Sequence, residues 1–128
     1  MRATQLIFGA AFVAGCMSIS AAQAACTGSN GRGWGSGNGA GKFTMSAADQ
    51  SCRIGFTNVI DDRKKTSIPA TNVKITRAPK SGKVAVTGSG LVYTPAKGFK
   101  GQDRFCTSNK APSVKGTTLS GCITVTVR

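Results

Sequence analysis

The chain has no histidine and no glutamate, and its only acids are four aspartates, set against 17 lysines and arginines in 128 residues. Without histidine there is no Cys-His or Ser-His-Asp nucleophile, no imidazole acid or base, and no zinc site of the common mixed kind. Without glutamate the paired-carboxylate mechanisms have only aspartate to draw on. A Ser-Lys pair would need no histidine, and Ser81 and Lys83 stand close together, but nothing sets them apart from the other serines and lysines. The chain therefore reads as non-catalytic, with no cofactor motif. Sustained helical periodicity is also missing, as is any apolar run long enough to span a bilayer comfortably.

What is present begins with a leader. Arg2 is followed by the apolar run from Leu6 to Ala14, and Ala22-Gln23-Ala24 supplies a small-x-small cleavage site, so residues 1–24 read as a signal peptide. Val13-Ala14-Gly15-Cys16 offers a second reading, a lipobox with a lipid anchor at Cys16. Either way the expected location is secreted or periplasmic, in a bacterium, with no transmembrane segment in the mature chain. Loss of Arg2 takes the net charge from +13 to +12.

Four cysteines remain, Cys26, Cys52, Cys106 and Cys122. In an exported domain they are most simply two disulfides, although three connectivities exist. Zinc is the weaker alternative, because the cysteines are widely spaced and form no Cys-x-x-Cys pairs.

Residues 25–41 form a Gly-rich segment. Seven of the fourteen positions from Gly28 to Gly41 are glycine, a composition that predicts a mobile loop. The alternative is a cradle for phosphate or polymer, with Arg32 and the single tryptophan, Trp34, as contacts, but no strand-loop-helix context surrounds it.

Residues 42–128 read as one all-β domain. Short alternating runs bounded by Gly, Pro, Asn and Asp predict seven strands, over 42–46, 51–57, 72–77, 83–87, 91–94, 103–108 and 121–128, which suggests a sandwich. Val73 and Ile75, Val84 and Val86, Leu91 and Tyr93, and Ile123, Val125 and Val127 would point inward, with Lys74, Lys83, Thr124 and Thr126 outward. The same parity places Cys52 inward beside Ile54 and Phe56, within reach of Cys26. It places Cys106 and Cys122 out of phase with Phe105 and Ile123, on the outer face, as a clamp across one hairpin.

The segments Pro79-Lys80-Ser81-Gly82-Lys83-Val84, Gly90-Leu91-Val92-Tyr93-Thr94-Pro95 and Gly98-Phe99-Lys100-Gly101-Gln102-Asp103-Arg104-Phe105, closed by Thr124-Val125-Thr126-Val127, carry a resemblance. Over about residues 72–128 the chain resembles the tandem bacterial Ig-like, cadherin-like domains. The resemblance implies an Ig-like β-sandwich and an extracytoplasmic interaction role. It makes Tyr93 a core anchor with a hydroxyl partner, Pro95 a strand end, Gly98 and Gly101 the residues of a tight turn, and Asp103 the cap of that turn. Such domains occur in long acidic arrays, often with calcium, whereas this chain is a single basic unit. Its aspartates are scattered, so no metal site carries over.

The charge is the remaining lead. Arg63, Lys64 and Lys65 form the densest cluster, and Lys97, Lys100 and Arg104 flank the Gly-Phe turn. Basic loops of this kind either keep a surface soluble or attract an anionic polymer. The expected function is an exported module that binds an anionic envelope polysaccharide or a surface protein through these six residues. The alternative is a structural or assembly subunit with no small ligand, pairing through its strand edges. Sequence-specific nucleic-acid recognition is not expected, because there is no recognition helix, zinc finger or aromatic stacking strand.

Overall fold

Side-chain alternation organises the body of the chain into strands. In the computed structural model, which describes residues 26–128, these are β1 (Thr27–Ser29), β2 (Gly39–Met45), β3 (Cys52–Ile54), β4 (Asn58–Asp61), β5 (Thr66–Pro69), β6 (Asn72–Arg77), β7 (Gly82–Thr87), β8 (Gly90–Pro95), β9 (Gly101–Lys110) and β10 (Leu119–Val127). The protein is all-β, as the alternation implies. The proposed signal peptide and Cys16 lie outside the described residues. Among those described, no helix is long and apolar enough to cross a membrane.

Among the described residues a five-stranded sheet runs in the order β1-β2-β10-β9-β6, a three-stranded sheet in the order β3-β8-β7, and β4 pairs only with β5. Within the large sheet β10 is parallel to β2 and antiparallel to β9, with Cys122 opposite Cys106 and Val125 opposite Asp103. Burial on β10 follows the pleat: Ile123, Val125 and Val127 are buried, and the residues between them are half-exposed. Phe43, Met45, Phe105 and Ile123 from the large sheet share one core with Cys52, Ile54, Leu91 and Tyr93 from the three-stranded sheet. The rings of Tyr93 and Phe105 stack across that core with centroids 6.3 Å apart.

The disulfides follow the parity argument. Cys26 is bonded to Cys52, whose side chain is fully buried, and Cys106 is bonded to Cys122, its register partner on the neighbouring strand. The first clamp joins the root of the Gly-rich segment to the three-stranded sheet. The second lies on the outer face of the large sheet.

Three expectations are corrected. The Gly-rich stretch is not a loop: it supplies β1, a single 3-10 turn at Trp34–Ser36 and the first three residues of β2, and Trp34 is buried. Its glycines serve close packing, since a methyl on Gly39 would overlap the Trp34 ring. At Gly33, φ is +93°, which lets the chain turn so that the backbone N–H of Asn38 reaches the Gly33 carbonyl at 2.8 Å. Second, the sequence between Thr57 and Ala70, which carries no expected strand, forms the β4–β5 hairpin. Third, Val86 does not point into the core. It is 43% exposed on β7, at the edge of the smaller sheet.

Candidate binding site

The buried polar centre of the protein belongs to the fold. Asp103, on β9, is buried and accepts hydrogen bonds from the backbone N–H groups of Lys80 and Ser81, at 2.9 Å each, and from the Tyr93 hydroxyl at 2.7 Å. It therefore caps the turn between β6 and β7, a turn distant in sequence, and not the Gly98–Gly101 turn expected of it. Tyr93 is fully buried, and its pKa is raised well above the ordinary tyrosine value, first by loss of solvent and then by the hydrogen bond to, and negative charge of, Asp103. With every oxygen of this pair facing backbone or partner, the network holds the β6–β7 turn against the core.

The six cations expected to form the site are divided by the sheet. Arg63, Lys64 and Lys65 are exposed in the turn that closes the β4–β5 hairpin. Asp61 Oδ1 accepts the backbone N–H groups of Arg63 and Lys64, at 3.0 and 3.2 Å, and Lys65 takes a left-handed φ of 53°. The carboxylate is thus engaged by the turn that presents the cations. Lys97 and Lys100 lie between β8 and β9, next to Gly101, and Arg104 is exposed on β9 itself. The β4–β5 hairpin returns through Ala70 to β6, whose first residue, Asn72, pairs with Lys110 at the far end of β9. β9 has ten residues, a span of about 30 Å. Lys97 and Lys100 therefore lie at the opposite end of the large sheet from the base of the hairpin, with Arg104 part-way along β9.

At the hairpin end the charge is joined by cations outside the expected set. Lys110 closes β9, Lys115 sits in the loop to β10, and Arg32 is exposed on the Gly-rich turn, all at this end of the molecule. A cleft of about 460 Å³ opens between the Gly-rich turn and β4, lined by Asn30, Arg32, Trp34, Phe56, Val59, Ile60 and Leu119 among others. Ile60 is 68% exposed. Trp34 forms part of the wall, but it is not a free stacking ring: it is 6% exposed, and its indole N–H donates to the Asn30 carbonyl at 2.6 Å. Phe56, expected inward, is half-buried and lines the same cleft. Asn30 Oδ1 and Thr57 Oγ1 are buried with no hydrogen-bond partner among the described residues, and both residues also border a small void beneath the cleft, beside Val73, Thr107 and Ile123.

The one trace of this cleft in the sequence is the pair Val59-Ile60. Two adjacent large aliphatics cannot both face one side of a strand, and here they precede a charged run. Lys110 and Lys115 carry no such mark, since only the register of β9 brings them to the hairpin end. No protein-family model, curated protein or solved structure matches the sequence.

Proposed function

We propose that the protein is an exported, non-catalytic binding module that holds an anionic partner of the cell envelope, a polysaccharide or a surface protein, at the basic end of its large sheet. The observation that carries this reading is that the β4–β5 hairpin bearing Arg63, Lys64 and Lys65 leaves the large sheet at the end where Lys110 and the Lys115 loop lie, and where Arg32 lines an open cleft. Clustered cations beside low-dielectric walls attract polyanions more strongly than the same charges dispersed. The two disulfides support export, because such bonds persist in oxidising compartments. The Ig-like, cadherin-like reading belongs to the same proposal, and two layers sharing one core, with Tyr93 anchored on Asp103, support it.

The test is binding of the oxidised protein to a panel of anionic polysaccharides and DNA of similar charge density, each titrated from low to physiological salt. One polymer should stay bound at physiological salt while the others are released. Release of all of them alike would remove the reading.

A second reading, an assembly subunit of the cell surface, draws on Val86, which is exposed on the unpaired edge of β7. It calls for oligomers in sedimentation at high protein concentration. A strict monomer counts against it.

A further inference from the structure

The cleft at the basic end has a wall of unusual kind. Among the described residues β4 pairs with β5 on one side only. Asn58, Val59 and Ile60 of β4 line the cleft and no residue of β5 does, so the cleft runs along the edge that β5 leaves unpaired. A strand edge bordering a groove offers a row of backbone donors and acceptors to an added strand. Two further features specify what that strand would be. The cleft is walled by Phe56, Val59, Ile60 and Leu119, which calls for an apolar side chain. Its lining includes Arg32 and no acid, and the hairpin turn adds Arg63, Lys64 and Lys65 beyond Ile60, which calls for negative charge on the occupant.

We infer that the occupant is an extended, acidic peptide segment of a partner protein, added as a third strand along β4 with an apolar side chain in the cleft and a carboxylate toward Arg32. The inference rests on the basic end being a binding surface and names the class of partner. Its length is bounded by β4, which has four residues, so the paired stretch is short and its affinity depends on the apolar and ionic contacts at either side.

The experiment uses the oxidised protein, expressed with its own N-terminal segment, and a short fluorescein-labelled peptide of alternating valine and glutamate, read by anisotropy. A second peptide of the same sequence is N-methylated at alternate amides, which keeps charge and side chains but blocks strand pairing. Heparin and phosphatidylglycerol vesicles are the other probes. The unmethylated peptide should bind at physiological salt, and the methylated one should bind at least about tenfold more weakly. Ile60→Asp and Arg32→Glu, both at exposed positions, should each weaken the unmethylated peptide by about tenfold or more with the Trp34 emission of the free protein unchanged. Equal binding of the two peptides, or unchanged binding by Ile60→Asp, overturns the inference. If heparin is then still held through Lys64 and Lys65, the basic-end reading survives that failure. If neither peptide nor heparin binds at physiological salt, both readings fall. Vesicle binding that depends on Ile60, without peptide binding, overturns the inference in favour of a lipid surface.

Discussion

Tyr93 is the only tyrosine and Trp34 the only tryptophan, so each reports on one place in the fold. Burial and the Asp103 carboxylate hold the Tyr93 phenol protonated in the folded protein. Because the folded pKa lies above the unfolded value, the stabilisation is complete below a pH of about 10. It is lost as pH rises from there toward the folded value. Tyrosinate absorbance should therefore appear together with the loss of tertiary structure in an alkaline titration. A separate ionisation in the folded state would show that the hydroxyl is not held. Tyr93→Phe should cost about 1–2 kcal/mol near neutral pH. Asp103→Ala should cost about 3 kcal/mol or more, since it strands two backbone N–H groups and the hydroxyl. Gly39→Ala should cost about 1–3 kcal/mol by pushing the Trp34 ring off its seat, visible as a red shift of the tryptophan emission and a lower midpoint in urea.

The two disulfides do different work because the elements around them differ. Cys106 and Cys122 join strands already tied by the nine register pairs of β9 and β10. Cys26 and Cys52 join the start of the large sheet's edge strand to the smaller sheet, and Cys52 is fully buried. Chain entropy gives each clamp about 3 kcal/mol. The Cys26→Ala, Cys52→Ala pair should nevertheless destabilise more than the Cys106→Ala, Cys122→Ala pair, because it also empties a core position. The order of the two midpoints in urea checks this, and the reverse order would place the weak point of the fold in the β9–β10 ladder. At this scale much was legible in the sequence. A strict period-two run such as Ile123 to Val127 has one face against the core, so pattern and structure agree, and the same phase sorted the cysteines. β4 and β5 were not legible, since four-residue strands with Val59 and Ile60 adjacent show no period. The Gly-rich segment misled for a further reason. Glycine content registers backbone freedom, but here the missing side chains make room for Trp34 and for the close approach of Gly39 and Gly121.

For the molecule as a whole, the charge was legible as an amount and not as a place. Arg63, Lys64 and Lys65 are adjacent in sequence and remain so in space. Lys97 and Lys100 are separated from the base of that hairpin by the length of β9, with Arg104 part-way along it, and Arg32, Lys110 and Lys115 join the hairpin end only through long-range pairing. The claim that one end binds is tested most directly by reversing charge at each end in turn. Lys64→Glu with Lys65→Glu is compared with Lys97→Glu with Lys100→Glu, all four positions being exposed. For each double variant, binding to the polymer retained at physiological salt is titrated against salt and the melting temperature is recorded. The hairpin variant should lose binding and flatten the salt dependence while melting with the wild type, and the turn variant should bind nearly as the wild type does. Equal losses at the two ends would mean that the protein is held by its net charge alone, with no binding end.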